Sequence, residues 1–140
     1  GESIVAVQRV PMEETHQYGI VEGLPTEQER TSKVDRMVEK PAPGTCNSDM
    51  AIIGRYLLMP EIFELLEKTT PGHGGEIQLT DALLALSNKR AMYAYEFTGK
   101  RYDAGDKLGY LKAIVDFGMA HTNLGKPFKE YLRKICAELN

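Results

Sequence analysis

A surplus of positive charge is missing from this chain. Its 17 lysines and arginines stand against 20 aspartates and glutamates, for a net charge of −3. That balance excludes the broad electrostatic footprint on which nucleic-acid binding rests. It leaves phosphorylated small ligands open, because these need a local cation rather than a basic protein. Cysteine is scarce too. Cys46 and Cys136 are the 2 cysteines, and they build neither a disulfide framework nor a metal-ligand spacing. With no leader-like segment in the sequence, a reducing, cytoplasmic setting is expected. Long apolar runs are lacking. The most apolar stretch, residues 51–59, is interrupted by Gly54 and Arg55 and is too short to span a bilayer. His16, His73 and His121 are scattered without metal spacing and read as surface or loop positions. No serine or cysteine sits in a nucleophile elbow, and no repeat or low-complexity segment occurs.

What is present suits a folded protein. Hydrophobic residues make up 42% and charged residues 26% of 140 positions, enough for one ordinary domain segment, residues 1–140, with its own core. Residues 4–10 are rich in β-branched side chains and read as a strand ended by Pro11. The polar stretch 12–17 reads as one helical turn. Residues 18–23 and 33–40 read as strands able to pair as an antiparallel hairpin, the second stopped by Pro41. A fourth strand is centred on residues 51–56. Pro60 then opens a helix whose apolar stripe is Ile62, Phe63, Leu65 and Leu66.

The stretch 69–75 is a glycine-rich loop. Thr80 is expected to cap a helix running to Leu86, with Asp81 in its first turn. Residues 92–97 alternate as a strand. Asp106 reads as the N-cap of a further helix whose Leu108, Leu111, Ile114, Val115 and Met119 face inward. A last helix follows Pro127, with Phe128, Leu132, Ile135, Cys136 and Leu139 on one face and Cys136 in the core. The class is α/β or α+β.

Four places carry candidate chemistry. At Glu39-Lys40-Pro41 a carboxylate and an ammonium end a strand, pointing to opposite faces. One suits sugar hydroxyls and the other a phosphate; a solvated strand end is the plainer alternative. In Tyr18-Gly19-Ile20-Val21 the glycine marks a bulge, a packing feature or a close approach to ligand. Asp103 stands between a strand and a helix start, a place where α/β sheets receive ligands. There it can hold Mg²⁺, an oxygen-seeking ion that shares phosphates, or simply bond turn N–H groups. The loop before Glu76 is too short for a Walker motif. Glu76 itself can close over a ligand or brace that loop.

In order, these motifs resemble a family. Val10-Pro11 through Glu13-Glu14, Tyr18-Gly19-Ile20-Val21 and Val38-Glu39-Lys40-Pro41 are similar to bacterial UTP–glucose-1-phosphate uridylyltransferases. So are Ala51-Ile52-Ile53-Gly54-Arg55-Tyr56, Gly75-Glu76-Ile77-Gln78-Leu79-Thr80-Asp81-Ala82 and Tyr102-Asp103-Ala104-Gly105-Asp106-Lys107-Leu108-Gly109-Tyr110. The resemblance implies part of a Rossmann-like nucleotide-diphospho-sugar transferase fold, a mixed sheet with helices. It implies the reaction of UTP with glucose 1-phosphate to give UDP-glucose and pyrophosphate, with Mg²⁺ as cofactor.

For the site, the resemblance implies that Tyr18, Gly19 and Glu39 bind the sugar. It implies that Lys40 meets its phosphate, that Asp103 approaches the metal, and that both serve catalysis. The family's Gly-rich nucleotide loop and its early-strand aspartate have no counterpart among these residues. The expectation is therefore a C-terminal, sugar-handling half without the nucleotide-binding half, inactive alone. Such a half is expected to expose strand edges or apolar faces, to pair with the missing half and to form a homo-oligomer, with no nucleic-acid or membrane partner. Another sugar-1-phosphate nucleotidyltransferase, such as a thymidylyltransferase, is the alternative enzyme. A non-catalytic sugar-phosphate-binding or assembly module is the alternative outside catalysis.

Overall fold

The computed structural model describes residues 1–139, less the side chain of His73, so the surface placement expected of that histidine lies outside the described residues. Two compact units form, Gly1–Thr98 and Gly99–Asn140.

Period-two alternation sets the first unit. In β1 (Ser3–Arg9) Val5 and Val7 are wholly buried while Ala6 and Gln8 are half-buried. β2 (Gly19–Pro25) and β3 (Thr31–Glu39) pair as the antiparallel hairpin that the sequence predicts. β4 (Met50–Leu57) runs antiparallel to both β1 and β2. β5 (Met92–Glu96) lies parallel to β1 and antiparallel to β3. The order β1-β4-β2-β3-β5 thus closes into a barrel. With its helices, this mixed sheet is the α/β arrangement expected. Closure gives every strand two neighbours, but β2 meets β4 only at Ile20–Ala51 and Val21–Met50 and β3 meets β5 only over Thr31–Lys33, so the strand edges expected from sequence are shortened rather than removed. A bulge in β4 shapes the wall. Ile53, Gly54 and Arg55 stand between the pairs Val7–Ile52 and Val5–Tyr56, opposite Ala6 alone. The chain turns there at Gly54, whose φ of 76° is open to glycine without a Cβ clash.

Two helices cover this sheet. α1 (Glu61–Lys68) opens after Pro60 and buries Ile62 and Leu65, with Leu66 partly covered. Phe63, expected on the same stripe, is 68% exposed. Positions 62, 65 and 66 share a face at i, i+3 and i+4, and residue 63 lies about 100° round the helix from 62. α2 (Leu79–Ser87) buries Ala82, Leu83 and Leu86 in one cluster with Val5, Val7, Val21, Val34 and Met37. Each leucine so buried contributes roughly 1.5–3 kcal/mol.

The second unit is a helix pair, α3 (Lys107–Ala120) and α4 (Gly125–Glu138). Asp106 caps α3 as expected, its Oδ2 accepting from the Gly109 N–H at 2.6 Å. The segment before it is tied to α3 by Asp116, which pairs with Lys100 and accepts from the Tyr102 hydroxyl at 2.7 Å. The inward face expected of α3 is covered only in part, with Val115 and Met119 half-buried. The helix has no buried residue, and Leu108 and Leu111 are each 58% exposed. Cys136, expected in the core, is likewise exposed, as are Ile135 and Leu139, while Phe128 and Leu132 are half-buried. Two helices meet along one narrow seam, where the Phe128 ring lies against Gly118, and cannot enclose the rest. α4 begins before Pro127, which sits in the first turn where a missing N–H is harmless. No described helix is long and apolar enough to cross a membrane.

Candidate functional site

The ends of β2 and β3 meet as a cross-strand pair, Gly19 opposite Glu39. Beyond them, the Lys40 N–H donates to the Tyr18 carbonyl at 3.0 Å. Residues from two separate sequence motifs are therefore neighbours on one ladder. The Tyr18 side chain is half-buried against Val10, Ile20, Cys46 and Ala51.

Glu39 is half-buried, and its Oε2 accepts a hydrogen bond from the Thr80 hydroxyl at 2.5 Å. A carboxylate acceptor makes such a bond short and strong. Both groups sit directly on the backbone of Gly19. A Cβ there would lie 2.9 Å from Glu39 Oε2, 3.1 Å from Thr80 Oγ1 and 3.3 Å from Ile52 Cδ1. Gly19 is thus a close-approach glycine, and the group it admits is the protein's own carboxylate. Tyr56, on β4, shares this neighbourhood. Burial first, and then the negative charge of Glu39, push its phenol above the usual tyrosine range.

Lys40 follows the last residue of β3 and is exposed. Its φ of 43° is left-handed, which costs a residue with a Cβ about 1–2 kcal/mol. Pro41 behind it disfavours the right-handed helical alternative. No ion pair holds its ammonium among the described residues. The arrangement offers a fixed acceptor at the strand end and, next in sequence, an unengaged cation.

Asp103 belongs to the second unit and is exposed. Its Oδ1 accepts from the Gly105 N–H at 3.0 Å and its Oδ2 from Arg101 Nη2 at 3.1 Å. The Gly105 N–H foremost, then the Arg101 charge, hold this carboxyl below the usual aspartate range, so it is ionised at neutral pH. No group of 3 or more His, Cys, Asp or Glu able to hold a metal occurs among the described residues. Asp103 is thus an exposed, ionised carboxylate with Arg101 engaged on one of its oxygens.

Sequence reasoning missed the place of Thr80 and Tyr56 beside Glu39. Thr80 was expected to cap α2. The helix instead starts at Leu79 after Gln78, so Thr80 is already inside the first turn and its hydroxyl turns to Glu39. Partial burial of Glu39 favours a donor, but no local pattern shows which of the distant hydroxyls provides it.

The model of the family described as nucleotidyl transferase matches residues 1–119. The chain belongs to the nucleotidyl transferase family. Within it, the chain is similar to the UTP–glucose-1-phosphate uridylyltransferase of Streptococcus pneumoniae serotype 4, 46% identical over 98% of this chain. It is 44% identical, over 95% of its length, to the enzyme of the same name from Streptococcus pyogenes. Among solved structures, a UDP-glucose pyrophosphorylase complexed with UDP-glucose matches 86% of this chain and 45% of its own, with a TM-score of 0.80 and 42% identity. The family resemblance read from the motifs therefore stands. The chain spans about half the length of the curated relatives it matches, 46% and 44% of them.

Proposed function

We propose that this nucleotidyl transferase chain handles glucose 1-phosphate within a UTP–glucose-1-phosphate uridylyltransferase. The observation that carries the reading is the Glu39 carboxylate seated on the bare backbone of Gly19, with the unengaged ammonium of Lys40 next in sequence. Sugar hydroxyls donate to Glu39, whose oxygens keep acceptor capacity beyond the bond from Thr80. Tyr18 and Gly19 form the backbone floor beside it. Lys40 meets the sugar phosphate and offsets its charge.

An oxygen of that phosphate attacks the α-phosphorus of UTP in line. A P–O bond forms there as the bond to the bridging oxygen breaks, and pyrophosphate leaves with the electron pair. The reaction needs no covalent enzyme intermediate. Its barrier is lowered by aligning two anions and neutralising the charge that develops. When bound, Mg²⁺ neutralises phosphate charge. Asp103, in the second unit, would hold that ion through its carboxylate, an oxygen donor that suits Mg²⁺.

The nucleotide side of the reaction falls to the length of the relatives that this chain does not match. The 140 residues alone are expected to bind sugar phosphate without turnover. Self-association, and a cytoplasmic setting for two free cysteines, belong to the same reading.

The test is UDP-glucose formation from UTP, glucose 1-phosphate and Mg²⁺. It is run on the chain alone and on the chain mixed with the unmatched remainder of the Streptococcus pneumoniae relative. Activity on mixing that falls about 100-fold or more with Lys40→Ala is the expected result. A mixture that is folded, associated and inactive would overturn the proposal.

A further inference from the structure

A threonine in the first turn of a helix ordinarily bonds backbone close by in sequence. Thr80 does not. The N-cap of α2 is Gln78, with no side-chain cap hydrogen bond, although a hydroxyl stands two residues along. That hydroxyl reaches across 41 positions to Glu39 Oε2 at 2.5 Å. A hydroxyl has one proton to donate, so Thr80 is committed to Glu39. The bond is also well shielded, since Thr80 is only 7% exposed. Gly19 completes the fit, because a Cβ there would crowd both oxygens at 2.9 and 3.1 Å.

We infer that Thr80 is a positioning residue for sugar recognition. Its hydroxyl fixes the Glu39 carboxylate over Gly19 by holding Oε2, and leaves Oε1 to accept from a hydroxylated ligand. This rests on the assignment of glucose 1-phosphate to the site. Thr80, bonded to Glu39 and not to Lys40, governs the polyol end of the ligand, while Lys40 governs the anion. The two affinities therefore separate.

The experiment titrates the chain with glucose 1-phosphate and with inorganic phosphate, following the backbone amides of Glu39 and Lys40 by NMR. Thr80→Val, nearly isosteric, is expected to weaken glucose 1-phosphate about 10- to 100-fold, the range for a hydrogen bond to a charged group. It should leave inorganic phosphate within about 2-fold, and Thr80→Ser should recover most of the sugar-phosphate affinity, because the hydroxyl is what acts. An unchanged glucose 1-phosphate affinity in Thr80→Val would overturn the inference. So would equal weakening of both ligands, or a Thr80→Ser variant as weak as Thr80→Val, since either points to packing. A wild-type chain that binds inorganic phosphate but gains nothing from the sugar would overturn the glucose 1-phosphate reading, and the inference with it.

Discussion

The two units place similar apolar residues in opposite settings. In the first, Val5, Val7, Val21 and Leu83 are wholly buried. In the second, Leu108, Leu111 and Phe117 are 58%, 58% and 67% exposed. Hydrophobicity alone does not explain the contrast, since leucine stands on both sides of it. Enclosure does. The first unit closes a sheet and covers it with helices, so an inward side chain meets neighbours all round. A helix pair has one line of contact, here Gly118 against Phe128, and leaves each helix's remaining faces to solvent.

Substitutions can break or sharpen this comparison. The largest effect is expected at Leu83→Ala, which removes a wholly buried side chain from the shared cluster. Urea unfolding followed by tyrosine fluorescence should show a loss of about 2–5 kcal/mol. A loss below about 1 kcal/mol would mean that the first unit is not tightly packed around α2. Next comes Asp106→Ala, which removes the α3 cap at 2.6 Å and should cost about 1 kcal/mol. Hydrogen exchange of the first α3 amides should report it, with the first unit unaffected. The smallest effect is expected at Leu111→Ser, within about 0.5 kcal/mol of wild type. A large loss there would show that this face is covered in solution and would erase the contrast.

Much of the first unit was legible because its signals are local. Strand alternation in β1, the Pro41 stop after β3, the hairpin of β2 with β3 and the helix after Pro60 each depend on a few adjacent residues. The Asp106 cap was legible for the same reason. Helical spacing was a weaker guide in α3 and α4. It identified which side chains share a face but not whether anything covers that face. Cys136 shows the limit, standing in the apolar pattern of α4 and yet exposed.

By itself, then, the sequence determined the local elements, their boundaries to within a few residues, and the motifs that mark the family. These follow from backbone preferences and periodicities that act within one or two turns or a short strand. Tertiary structure alone decided that β5 returns to β1 and closes the barrel. It alone took Thr80 from capping α2 to holding Glu39 on Gly19. A half-buried carboxylate gains from a donor, and which donor it finds depends on how elements far apart in sequence pack together, something no local pattern encodes.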